Sequence, residues 1–108
     1  MTEFIQVATA IDSKEQAQQI AEALVKNRFA ACVHVSGPIT STYWWQGKME
    51  VAEEWVCVAK TRKDLYEEVE KTLKSLHPYE EPEIIATPII AGSESYLNWI
   101  IAETRGVL

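Results

Sequence analysis

Residues 30–61 constrain this chain most. They hold two stretches of β-formers either side of Gln46-Gly47-Lys48, a tight hairpin-turn signal. The first stretch runs through Ala30-Ala31-Cys32-Val33-His34-Val35 and resumes at Ile39 to end in Tyr43-Trp44-Trp45; the second ends in Trp55-Val56-Cys57-Val58-Ala59-Lys60. Gly37-Pro38 is expected to bend or bulge the first arm. Each arm is well beyond the usual strand mode of ~5–6 residues. A domain of 108 residues cannot enclose the far end of such a hairpin, to which Tyr43, Trp44, Trp45 and Trp55 are assigned. Two outcomes fit: the hairpin folds back over its own sheet, or it adds strands between identical subunits and closes a symmetric ring. An exposed patch of large aromatics favours the second, with Tyr43, Trp44, Trp45 and Trp55 at a trimer interface.

The flanking segments supply the rest of the fold. Residues 3–8 read as a strand that is apolar on both faces. Asp12-Ser13 offers an N-cap, and Ser13-Lys14-Glu15-Gln16 fits the capping-box pattern. Ala17, Ile20, Ala21, Leu24 and Val25 then follow helical spacing, with Asn27 as a left-handed stop. Leu65, Val69, Leu73 and Leu76 mark a second helix ended by Pro78. Residues 84–90 form a fourth strand, which Pro88 pushes toward a sheet edge or a bulge. Ser93 opens a last helix carrying Leu97, Ile100 and Ile101. The order is β-α-β-β-α-β plus a terminal helix, so the expected class is α+β, a ferredoxin-like split βαβ sandwich.

Nothing in residues 1–108 has the composition of a linker or repeats, so one domain is expected. The net charge of −6, concentrated in the middle of the chain, opposes nucleic-acid binding, which draws on clustered Lys and Arg. No apolar run approaches the ~18 residues that cross a bilayer. The N-terminus carries Glu3 and no basic region, unlike a secretory signal. The expectation is a cytoplasmic protein with two reduced cysteines and no membrane contact. Dinucleotide and Walker fingerprints, Cys-x-x-Cys pairs and a Gly-x-Ser-x-Gly elbow are all missing, so no enzymatic constellation is visible.

Two places could carry chemistry. His77-Pro78-Tyr79-Glu80-Glu81-Pro82-Glu83 packs an imidazole, a phenol and three carboxylates into a loop stiffened by two prolines, as a metal or anion site requires. The alternative is that His77 caps the preceding helix and the glutamates are solvated. Cys32 and His34, two apart on a strand, share a face and could give two ligands to a soft ion. Structural zinc wants four protein ligands, and Cys32 alone also suits a small core residue. Cys32 and Cys57 are offset along the hairpin by about four residues, or ~14 Å, too far for a disulfide.

Ala30-Ala31-Cys32-Val33, Tyr43-x-Trp45-x-Gly47, Lys60-Thr61, Ser75-Leu76-His77-Pro78-Tyr79-Glu80-x-Pro82-Glu83-Ile84 and Tyr96-Leu97-x-Trp99 together resemble the CutA family of divalent-cation tolerance proteins. The resemblance runs nearly end to end. It implies a ferredoxin-like subunit in a homotrimer built through the long strands, binding divalent ions and serving tolerance to copper and other heavy metals. Its metal positions fall on Cys32 and His77. Some relatives carry a further cysteine where this chain has Ala8 and a further histidine where it has Leu76, so the implied site is weak and copper-preferring. The other functional class is a trimeric small-molecule sensor like the PII family, with Lys60, Tyr79 and Glu83 lining an inter-subunit cleft.

Overall fold

The computed structural model describes residues 2–105. Four strands and three helices follow in the order β1 (Phe4–Ile11), α1 (Lys14–Lys26), β2 (Cys32–Trp45), β3 (Lys48–Arg62), α2 (Tyr66–Leu76), β4 (Ile85–Ile89) and α3 (Glu94–Glu103), with a 3-10 turn at Lys63–Leu65 leading into α2. The strands form one antiparallel sheet in the order β2-β3-β1-β4. β1 is longer than its sequence suggested, because Thr9, Ala10 and Ile11 continue the ladder opposite Cys57, Val56 and Trp55.

Period-2 alternation divides the sheet. Ile5, Val7, Thr9 and Ile11 of β1 and Cys57, Ala59 and Thr61 of β3 are buried on the face covered by the helices. Ala17, Ile20 and Leu24 of α1, with Val69 and Leu73 of α2, close that core. Phe4, Gln6 and Ala8 of β1, and Val56, Val58 and Lys60 of β3, lie on the other face and stay partly exposed. β4 is an edge strand, one of the two placements that Pro88 allows.

Local chemistry sets the helix ends. The Ser13 hydroxyl accepts from the Gln16 N–H at 3.2 Å, and the Ser93 hydroxyl accepts from the Tyr96 N–H at 3.3 Å, each satisfying a free helix donor. The left-handed residue after α1 is Arg28, at φ 63°, not Asn27, at φ −83°. Asn27 remains right-handed because its side-chain amide donates back to the Ala23 carbonyl at 2.8 Å. The Arg28 carbonyl accepts from the Arg105 N–H, and its side chain pairs with Glu103.

The hairpin is held by a two-residue turn with both central residues at positive φ, Gln46 at 50° and Gly47 at 78°, matching strand twist. Pairing with β1 ends at Trp55. Beyond it, β2 and β3 pair with each other alone from Ile39↔Glu54 to Trp45↔Lys48. That is about 24 Å of projecting ribbon at ~3.4 Å per residue, and the molecule's longest extent is 44 Å. Gly37 and Pro38 form a bulge in which two residues of β2 stand against Trp55 alone. Trp55 therefore lies where β3 joins the sheet, packed on its own core, and not at the far end as expected. Trp44, Tyr43 and Trp45 do occupy the ribbon, and all three are exposed.

Candidate functional site

The stiff loop after α2 builds the site. α2 ends at Leu76, and the His77 N–H still reaches the Leu73 carbonyl at 2.8 Å. His77 then turns to extended backbone, as Pro78 demands of the residue before it. Its ring is 7% exposed, under the end of β1. Nε2 lies 2.8 Å from the Ala10 carbonyl, and Nδ1 lies 3.2 Å from the Tyr79 N–H. A carbonyl only accepts and a backbone N–H only donates. His77 must therefore be the neutral tautomer that donates from Nε2 and accepts at Nδ1.

Tyr79 meets His77 edge-on, with ring centroids 4.5 Å apart. Its hydroxyl donates to Glu54 Oε2 at 2.8 Å. Glu54 is 6% exposed, a buried carboxylate on β3. Burial first, then the bond to Glu54 and the charges of Glu54 and Asp12, push the Tyr79 hydroxyl well above the ordinary phenol range.

Tyr79 and Glu54 line an open groove of about 830 Å³ between the hairpin and the loop. Ser41, Tyr43, Trp45, Ala52 and Glu54 furnish one wall; Tyr79 to Glu83 furnish the other, with Asp12 at the end of β1. Four aromatic residues line it, Tyr43, Trp44 and Trp45 from the hairpin and Tyr79 from the loop, beside the carboxylates of Asp12, Glu54, Glu80, Glu81 and Glu83, with no Lys or Arg in the lining. A second groove of about 910 Å³ runs beside β4 and is lined by Phe4, Tyr66, Pro88, Ile90 and Leu97. It gathers mainly apolar side chains, with Lys63 and Glu3 paired at its rim.

The residues singled out in the sequence fall into separate places. Tyr79 and Glu83 share the first groove, with Tyr43 and Trp45 opposite. Lys60 does not join them. It sits across from Cys32 and Gln6, with its Nζ at 3.5 Å from His34 Nδ1. Cys32 and His77 are not neighbours within one subunit. Cys32 is level with Gln6, whereas His77 binds Ala10, four residues on: about 14 Å along the sheet and about 10 Å across it. His77 has already committed its single lone pair to the Tyr79 N–H. Among the described residues, no group of three or more His, Cys, Asp or Glu side chains is placed to hold a metal ion. The donor set of one subunit therefore does not fit a metal centre on Cys32 and His77.

Both cysteines are free thiols. Cys57 faces the helical core, donates to the Ala17 carbonyl at 3.5 Å, and burial pushes its thiol up to about 11. Cys32 is half-buried on the opposite face. Glu54 went unnoticed in the sequence, where Asp12 reads only as part of a helix N-cap. The available signal was period 2, which places Glu54 between Ala52 and Val56 on one face, a carboxylate among small and apolar neighbours.

Comparison with known proteins gives the family. A family model described as CutA1 divalent ion tolerance protein matches residues 5–103. The divalent-cation tolerance protein CutA of Thermus thermophilus is 40% identical over 98 residues, covering 91% of this chain and 95% of that protein. The same-named protein of Pyrococcus horikoshii is 39% identical over 102 residues, covering 94% of this chain and 99% of its own length. The crystal structure of CutA1 from Oryza sativa superposes with a TM-score of 0.94 at 34% identity, covering 97% of this chain and 96% of that one. With a family model spanning residues 5–103, relatives about 40% identical over nearly the whole chain and a matching fold, the chain belongs to the CutA1 family of divalent ion tolerance proteins.

Proposed function

We propose that this protein is a ferredoxin-like homotrimer of the cytoplasm that binds divalent ions, copper foremost, and catalyses no reaction. One observation carries the reading. The hairpin projects about 24 Å beyond its sheet with Trp44 75%, Met49 65% and Val51 63% exposed, while β2 and β4 both present open sheet edges. Apolar ribbon and unpaired edges of this kind are an aggregation hazard unless a partner covers them. Identical subunits exchanging strands around a closed ring cover both at once. The strand order supports the ferredoxin-like assignment.

In this reading the ion site is completed where subunits meet. Cys32, half-buried on the face the helices leave open, is the soft donor; His77 is left out of the ligand set because its ring is fully engaged. A site with one thiolate and oxygen ligands binds weakly and prefers copper over zinc. The test is light scattering, expected to give about three times 12.2 kDa, followed by anaerobic titration with copper and zinc. Cys32→Ser should abolish copper uptake. A stable monomer, or a Cys32→Ser protein that binds copper as wild type does, refutes the proposal.

The sensor alternative draws on the first groove, whose volume of about 830 Å³ suits a small molecule. Its carboxylate lining opposes an anionic ligand, so ATP would need Lys60 from a neighbouring subunit. Calorimetry with ATP beside the metal titration separates the two: heat with ATP and none with copper favours the sensor.

A further inference from the structure

His77 is the most deeply held polar ring in the molecule, and the metal reading leaves it without a task. We infer that His77 is a positioning residue: a neutral, Nε2-protonated staple that fixes the loop after α2 to the end of β1 and aims Tyr79 at Glu54, so shaping the groove wall.

Three observations converge. First, both ring nitrogens are used in opposite senses. Nε2 gives its proton to the Ala10 carbonyl at 2.8 Å and Nδ1 takes the Tyr79 N–H at 3.2 Å. The first of these bonds joins segments 67 residues apart in sequence, and the second fixes the loop two residues on. Second, the ring supports the phenol edge-on at 4.5 Å, and that phenol ends on Glu54 at 2.8 Å. A continuous chain of contacts thus runs from the β1 backbone through His77 and Tyr79 to the carboxylate on β3. Third, no other side-chain bond among the described residues ties Pro78–Glu83 to the sheet besides Tyr79 to Glu54. Removing the staple leaves the wall that carries Glu80, Glu81 and Glu83 dependent on that single bond.

The staple also governs what Glu54 presents. With Tyr79 in place, one oxygen of a 94%-buried carboxylate (Glu54 is 6% exposed) is occupied by a neutral donor. With Tyr79 displaced, the same carboxylate faces the groove unmasked. His77 therefore acts on groove ligands through Tyr79 and without touching them.

The experiment uses the assembled full chain and nitrogen-resolved NMR of the imidazole at neutral pH. Wild type should show Nε2 protonated and Nδ1 bare, and adding Zn²⁺ or Cu²⁺ should neither shift nor selectively broaden the His77 ring signals. His77→Ala should lower the exchange protection of the Tyr79 amide roughly tenfold while the amides of the β1–β3 ladder keep theirs. His77→Gln, whose amide can donate to the Ala10 carbonyl, should recover part of that protection and bind metal as wild type does. A ring that responds to metal, the opposite tautomer, or a Tyr79 amide equally protected in His77→Ala overturns the inference. Should His77→Ala fail to fold, the wild-type ring measurements alone decide it.

Discussion

Tyr79→Phe isolates the contact that closes the candidate groove. The substitution keeps the ring, and hence its packing on His77, and deletes only the hydroxyl that donates to Glu54 at 2.8 Å. Glu54 is 6% exposed and has no other side-chain partner among the described residues, so the loss strands a carboxylate with little water. A bond to a charged group is worth ~1.5–3 kcal/mol, and the larger end applies when the remaining partner stays buried. For a domain of this size ~1.5 kcal/mol lowers the melting temperature by about 6 °C or more. Assembly and folding are linked, so wild type and variant are compared at one protein concentration. The alkaline limb supplies an independent sign. Folding raises the Tyr79 ionisation above that of a free phenol at ~10. The neutral hydroxyl therefore stabilises the fold fully below that pH, and this contribution is lost as pH climbs above it toward the folded value. Wild type should weaken steeply above about pH 10, and Tyr79→Phe should flatten that fall while starting lower at neutral pH. Double substitution with Glu54→Gln, which removes the charge but keeps an acceptor, should show coupling. Equal melting at neutral pH together with an unchanged alkaline limb would refute the reasoning, because it would mean that water replaces the phenol at no cost.

Three further outcomes follow from the packing. In Gly37→Ala the new Cβ would lie 2.6 Å from Trp55 Cδ1 and 3.0 Å from the Glu54 carbonyl, at φ +155°, so a loss of ~1–3 kcal/mol is expected in denaturant titration; an unchanged midpoint contradicts the bulge as described. Cys57, with its thiol pushed up to about 11 by burial, should resist a thiol reagent at pH 8 in the native protein and react only after unfolding; native labelling of Cys57 on the timescale of mixing would contradict that placement. If Trp45 packs against a neighbouring subunit, Trp45→Ala should cost ~3–5 kcal/mol and make melting more dependent on concentration; a wild-type melt leaves Trp45 as a surface residue.

The fold was legible where a short-range signal has only one physical outcome. The Ser13 and Ser93 caps and the turn at Gln46-Gly47 depend on a few neighbouring atoms. The candidate site was legible only in part, because its contacts are long-range. The loop at His77 stood out by composition. Its purpose depends on the Ala10 carbonyl, 67 residues away, and on Glu54, 25 residues from Tyr79. A strand carboxylate in a charged chain gives no local hint that a phenol will meet it. That Cys32 and His77 stand apart within one subunit was hidden for the same reason, since strand order and register set that distance.

The bulge decides which aromatics serve the groove. Before it, Cys32, His34 and Ser36 face away from the helices; after it, the odd-numbered Ile39, Ser41, Tyr43 and Trp45 take over that face, because two residues of β2 stand against one of β3. Had the arm continued in regular register, Trp44 would look onto Glu54 and Tyr79, and Tyr43 and Trp45 would join Met49 and Val51 on the opposite side. Gly37 is the residue that permits the change, since it approaches Trp55 where no Cβ fits. Trp55 in turn packs on the core through its own sheet. A feature that looks like a mere interruption of a strand thus couples the hydrophobic core to the face of the hairpin. It turns Tyr43 and Trp45 toward the face that carries Glu54, and pairs Trp44 with Met49 on the face of Val51, where Trp44 also borders the groove.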